Sequence, residues 1–448
     1  AKSCRRAANN PCGAPDGRSV STLWCRSCGN GSMILGRSTA QGLHYPQQLT
    51  VLNPPTRSEH AGLASAHLGP AALAQTLGAM RPGKKGLREA GLIADSDGEQ
   101  LVRQTAAKLG LEPDDPLVQQ LLIKARGSAD AGPAWRAAVD DLNLDPDRLR
   151  IAGDECLQLT LARDADALTL RELRDTVTPE QRPAIDHLGR RLAGEFGIAE
   201  VTLLRTLPIA YLIAGFTRGS SRSMTDTKRG PQPVGFRYFA SLGDGRIPMY
   251  GIRSDTEGLL FRLDPAKIVR WLSANDLGPR IPPESEDDAQ RWMLRSLEPV
   301  TDIFEPPSHR PTTAALTLVH SVAHRMMKSL AARCGLNIDS LAEYLFPLAG
   351  SFLIYANTRS QFTLGGLEHV FRHDLSDALT ELKAETRCLF DPVCRDREAA
   401  CVACLHVSEI SCARFNSALS RNVLFGTPQR VSSVSSAKGA RWTRFWSP

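Results

Sequence analysis

The clearest periodicity along the chain lies in "TTAALTLVHSVAHRMMKSLAARCG", where Leu316, Val319, Ala323, Met326, Leu330 and Cys334 recur every three or four residues. That spacing predicts a helix with one buried stripe, stopped at Gly335. A short helix after Asp339, a buried strand "SFLIYAN", the turn "TLGGL" and a helix from about Asp374 to Cys388 are expected to follow. Upstream, "TPEQRPAIDHLGRRLAGEFG" carries start and stop signals: Thr178 as N-cap, Pro179 in the first turn, Gln181 at the capping-box position and Gly197 just past the end. The rest of residues 61–200 reads as short helices broken by Gly and Pro. Near 201 the pattern turns towards strand, with "GFRYFA" and "RIPMYGI" joined by the turn "SLGDGR", then "EGLLFRL". Asp264-Pro265 opens a helix through Trp271, and "YPQQLTVLNPP" is a short strand that stops at Pro54-Pro55.

These elements predict a mixed α/β (α+β) chain in five segments. They are a basic, zinc-ribbon-like region at 1–60, a helical region at 61–200, a mixed connecting region at 201–310, a compact α/β zinc-binding domain at 311–426 and a basic aromatic tail at 427–448. "PPESEDD" and "FEPPSHRP" punctuate the approach to the fourth segment.

At 448 residues the chain is long enough for two or three domains. No apolar run approaches the roughly 18 residues that would suggest a membrane span. The opening "AKSCRRAANN" has no apolar core of the kind a secretory signal carries, so a cytoplasmic protein is expected. Because the sequence opens at Ala1 rather than Met and reaches a cysteine at position 4, further residues are expected upstream. Net charge is +6, unevenly spread: residues 1–60 hold seven Lys/Arg against two acids, and residues 421–448 hold five and none. Basic ends on a mildly acidic body direct any polyanion to the ends.

The eleven cysteines fall into two groups, with Cys156 and Cys334 alone between them. An odd count without an export signal argues against a disulfide framework. In the second group, Cys394, Cys401, Cys404 and Cys412 supply four thiolates within nineteen residues, the form of a closed tetrahedral zinc site. Cys388 is then a spare, or the true ligand in place of Cys394. In the first group, Cys4, Cys12, Cys25 and Cys28 have the form of a zinc ribbon with "RSVSTLW" as a strand between the pairs. Two structural Zn2+ ions are therefore expected, and neither site keeps a position for water.

Three motifs are weaker than they look. "GAMRPGKK" (78–85) matches a phosphate-binding loop until Lys85, which replaces the Ser/Thr that would hold Mg2+. His320 and His324 stand i, i+4 on the long helix, but Ser321 follows the first where a metalloprotease needs Glu, so hydrogen-bonded packing at the domain margin is the expected role. Gly365-Gly366 is read as a tight turn that another backbone approaches. In the tail, Lys438, Arg441, Trp442, Arg444 and Trp446 interleave cations with aromatics, which suits stacking on unpaired bases with phosphate contact, or docking on a partner.

The run "VHSVAHRMMKSLAARCG", "TLGGL", "CLFDPVC" and "CVACLHVSEISCARFNSALSRNVLFG" resembles the carboxy-terminal domain of the DrmB family of DISARM anti-phage systems, a domain related to one in MrfA-type helicases. "LIAGFTR" and "EGLLFRLDPAKIVRWL" resemble the same pattern, as does the basic region leading to "YPQQLTVLNPP". The resemblance implies a zinc site at Cys394, Cys401, Cys404 and Cys412, with Cys388 also in the pattern. Asn416 and Arg421 match the family's Asn and Arg, while Ser420 replaces the usual Asp. It further implies a non-catalytic accessory subunit in antiviral defence that partners an SF2-type, DrmA-like helicase and contributes to DNA binding. The alternative from another class is a metal-dependent hydrolase or nuclease using His320 and His324 with a carboxylate such as Glu343 or Asp374.

Overall fold

The computed structural model of the protein describes residues 44–54, 67–218, 236–301, 307–357, 364–427 and 441–446, apart from residues 91, 93–95, 113, 126–133, 244, 385 and 409–410. Short strands at 2–3, 23–24, 32–35, 224–226 and 232–234 are described as well. Contacts divide the chain into two units, Ala1–Val51 with Ala210–Arg253 and Leu52–Ile209 with Ser254–Pro448.

In the smaller unit, Lys2–Ser3 and Leu23–Trp24 flank Ser32–Leu35 in an antiparallel sheet. Phe236–Tyr238, part of the expected "GFRYFA" strand, pairs with Gly215–Thr217 rather than forming a hairpin with "RIPMYGI". Residues 250–252 of the latter belong instead to one long strand, Tyr250–Leu263, that also contains "EGLLFRL".

The larger unit is a mixed α/β body built on an antiparallel sheet. In it Leu341–Phe346 and Ser351–Ala356 form a hairpin, and residues 351–355 pair on their other side with residues 258–262 of the long strand. The helix expected after Asp339 is a single 3-10 turn, Ile338–Ser340, that runs straight into the first hairpin strand. Six residues of that strand pair with Ser351–Ala356, so cross-strand bonding overrides the local helix signal.

Helix Arg310–Cys334 packs on this hairpin and ends at Gly335 in the left-handed conformation (φ 68°) that glycine permits. Its burial is not one stripe: Leu318, Val322 and Met327 are buried as well as Leu316, Val319 and Met326. Helix Leu375–Ala384 and the short helix Arg421–Phe425 pack against it, so it is a central element. Gly365 adopts φ 123°, and a Cβ on Gly366 would lie 3.0 Å from the Cys334 carbonyl oxygen, the close backbone approach expected of this pair.

Two details of the helical region position the rest. The helix expected from Thr178 begins at Arg182, with Pro183 in its first turn. Started at Thr178, it would have required an N–H from Pro183, which has none. Helix Leu68–Thr76 packs on helix Pro146–Arg163 where Gly69 meets Gly153. A Cβ on Gly153 would fall 2.8 Å from the Gly69 Cα, so the backbones touch. Among the described residues no helix is long and apolar enough to cross a membrane.

Candidate metal centres

In the segment after helix Leu375–Ala384 the apolar side chains Leu389, Phe390, Val393 and Val402 are exposed, and the small core that it does form is built around sulfur. Cys388, Cys394, Cys401 and Cys404 bring four Sγ atoms within 4.8 Å of one another. Sγ separations are 3.4 Å for Cys388–Cys401 and 3.7 Å for both Cys394–Cys404 and Cys401–Cys404. Those distances are far beyond a disulfide, about 2.05 Å. They approach the ~3.8 Å between thiolates around a tetrahedral ion at Zn–S distances of about 2.3 Å. Backbone N–H groups point at the sulfurs, from Phe390 to Cys388 (3.4 Å) and from Cys401 to Cys404 (3.2 Å), which stabilises thiolate charge. The four residues could hold one metal ion.

Cys388 is thus the fourth member, and Cys412 does not join the quartet. The notion of Cys388 as a spare, or as a substitute for Cys394, is replaced by a set containing both. The chain explains why: Cys394 sits on the short helix Val393–Arg397 beside Cys404, while the turn from Cys404 to Cys412 runs away towards the helix core. Arg421 supports the quartet. Its guanidinium lies 2.7 Å from Asp391 Oδ1 and 3.8 Å from Cys394 Sγ, so the arginine finds its carboxylate at 391 in place of position 420. Against burial, the Cys388 N–H and Arg421 hold Asp391 below the ordinary carboxylate range. Without metal, burial pushes the Cys394 thiol well up. At Cys401, against burial, hydrogen bonds from Cys388 and the Ala403 N–H bring the thiol down to about 7.

A second group lies in the core. His320 and His324 project from one face of the long helix, Glu343 from the hairpin strand and Cys412 from the loop, all within 4.8 Å of one another. His320 Nε2 is 2.9 Å from both His324 Nε2 and Glu343 Oε1, His324 Nε2 is 3.3 Å from Glu343 Oε1, and Cys412 Sγ is 3.4 Å from His320 Nε2. The histidines are not at a domain margin: both rings and the Glu343 carboxylate are wholly inaccessible to solvent. Burial lowers the His320 pKa, disfavouring its imidazolium. Of the two carboxylates named for a hydrolase, Glu343 converges with the histidines, whereas Asp374 lies 3.6 Å from His369. The signal for Glu343 in the sequence is a lone acid inside the apolar run "LAEYLF". What the sequence lacks is the pairing that turns it towards the helix.

The amino-terminal cysteines, Cys4, Cys12, Cys25 and Cys28, lie outside the described residues, as does Lys438. The tail aromatics pack against the rest of their unit. Trp446 is 2% exposed, packed edge-on against Phe196 and Phe425 at 5.6 and 5.3 Å. Trp442 stacks on Trp271 at 5.4 Å, and Phe445 and Trp446 donate backbone hydrogen bonds to Val423 and Leu424. These rings complete the core of their own unit, which leaves Arg441 and Arg444 as the exposed cations of the segment. The phosphate-loop lookalike is likewise structural: Lys84 is buried beside Asp164 (3.8 Å), after a helix rather than a strand.

Between the tail and the segment that carries Cys388 and Cys394 runs a cleft of about 1090 Å3. Lys383, Arg387, Arg395, Arg421 and Arg444 line it, against one acid, Asp391. Arg387 and Arg395 flank the first two cysteines of the quartet; their clustering with Arg444 is a product of the fold.

No protein-family model matches this chain, and no curated protein matches it either.

Proposed function

We propose that this protein is a non-catalytic, zinc-stabilised accessory subunit that binds DNA through phosphate contacts and partners an SF2-type, DrmA-like helicase in DISARM-like antiviral defence. The observation that carries the DNA-binding part is the cleft: five cationic side chains face one acid in a groove lined on one side by Arg387, Asp391 and Arg395, from the segment that carries Cys388 and Cys394. Cys388, Cys394, Cys401 and Cys404 would hold Zn2+, whose chemistry here is to tie a loop with a small buried core into a fixed shape. Arg395 follows a ligand directly, so the metal would set where that cation points. Three of the cations have other duties, since Arg421 pairs with Asp391, Lys383 lies 3.4 Å from Glu195 and Arg395 lies 3.7 Å from Asp396. Arg387 and Arg444 are exposed and face the cleft, which makes them the natural phosphate contacts. The helicase partner rests on the sequence resemblance alone.

Fluorescence anisotropy with labelled single- and double-stranded oligonucleotides, over a series of salt concentrations, tests the reading. Each phosphate contact contributes about 0.9 to the slope of log affinity against log salt on duplex DNA. The double variant Arg387→Glu/Arg444→Glu is expected to bind more weakly and to lower that slope by about 2, with zinc content unchanged. Wild-type protein that binds neither oligonucleotide at low salt, or a variant with an unchanged slope, removes the DNA-binding claim. Co-purification of the tagged chain with a co-expressed helicase of this class tests the partner separately.

A further inference from the structure

We infer that His320, His324, Glu343 and Cys412 form a second, closed zinc site, distinct from the cysteine quartet and structural in purpose. His324 Nδ1 lies 2.8 Å from the Leu405 carbonyl oxygen, which can only accept, so Nδ1 carries the hydrogen and Nε2 presents a lone pair inward. Both Glu343 oxygens are buried without a hydrogen-bond partner, although two imidazole nitrogens lie within 3.3 Å of Oε1. Cys412 Sγ accepts N–H groups from Asn416 (3.2 Å) and Arg414 (3.4 Å), the arrangement that stabilises a thiolate. That loop follows a left-handed path, with φ of 53° at Phe415 and 57° at Asn416. Four potential ligands thus converge in a dry interior where a carboxylate is left without a hydrogen-bond partner, an arrangement that is costly unless a cation fills it.

A divalent ion satisfies the cluster in number, geometry and charge. Ligand separations of 2.9–3.4 Å are near the ~3.3 Å between nitrogen or oxygen ligands of tetrahedral zinc. One carboxylate and one thiolate neutralise a dication, so the filled site adds no net charge to the core. Imidazole, carboxylate and thiolate together favour Zn2+ over Mg2+ or Ca2+. All four residues are buried, which leaves no position for substrate or for an activated water and separates this site from the hydrolase alternative. Its effect is to join the long helix, the hairpin strand and the loop that continues from Cys404, so that the wall of the basic cleft is anchored to the core.

Zinc content and zinc X-ray absorption of the full chain, purified without added metal, test the inference. At least two zinc ions per chain are expected, with a coordination shell that includes nitrogen or oxygen at about 2.0–2.1 Å as well as sulfur at about 2.3 Å. Replacing His324 with Ala should lower zinc by one ion and leave a shell of sulfur alone. Because that variant can fail to fold, the wild-type spectrum is decisive by itself. A sulfur-only shell at any zinc content overturns the proposal, since the quartet and the amino-terminal cysteines would give only that.

Discussion

Replacing Trp446 with alanine is expected to destabilise the larger unit by about 2 kcal/mol. The indole is 2% exposed and meets Phe196 and Phe425 edge-on. Truncating a buried Trp to Ala typically costs about 3–5 kcal/mol, a figure that includes aromatic pairs contributing about 0.5–1.5 each. One feature of this site lowers the expectation: the indole Nε1 is buried without a partner, and removing it relieves a desolvation penalty of roughly 1–3 kcal/mol. The same reasoning makes Trp446→Phe mild, within about 1 kcal/mol of wild type, because the ring contacts survive and the orphan N–H goes. Arg441→Glu and Arg444→Glu, at exposed positions, should each stay within about 0.5 kcal/mol. Urea denaturation of the full chain followed by circular dichroism measures all four. An alanine variant as stable as wild type would refute the packing argument and return the tail aromatics to candidate base-stacking platforms. Cutting the chain after Gly426 would therefore confound loss of DNA contact with loss of core, and charge reversals are the cleaner probe.

Cys404→Ser should abolish one zinc ion and lower thermal stability strongly, because metal binding there is also folding energy; an unchanged melting temperature with unchanged zinc would refute the quartet. Gly153→Ala should be worse than Gly69→Ala, since the added Cβ meets backbone at 2.8 Å in the first case and 3.3 Å in the second; the first is expected to cost about 1–3 kcal/mol by denaturation. Burial raises the Glu155 carboxyl to about 8, against hydrogen bonds from the Leu348 and Ala349 N–H groups. Its folded value lies above its ordinary value of 4.5, so its contribution is fully present below about pH 4.5 and is lost as pH rises towards 8. Glu155→Gln should match wild type at pH 4, exceed it at pH 8, and flatten the melting profile between; a parallel profile would refute the assignment.

Local signals in the sequence determined much of this protein. The long helix to Gly335, the strand in "SFLIYAN", the helix opened by Asp264-Pro265 and the close approach at Gly366 were all legible, because each rests on spacing or on one residue's backbone chemistry. So was the presence of a cysteine cluster, since thiolates at such spacing have few other uses. The sequence could not say which four thiols meet. Cys388 and Cys412 are both near the others in order, and only the path of the chain after Cys404 sends one to the quartet and the other to the helix. Nor could it bring Glu343 to His320 and His324, because that meeting depends on a hairpin pairing that local propensity opposed. The tail shows the same limit from the other side: cations interleaved with aromatics suit a nucleic acid, a partner or a core equally well. Burial is a property of the assembled fold, and it turned Trp446 inward while leaving Arg444 at the cleft.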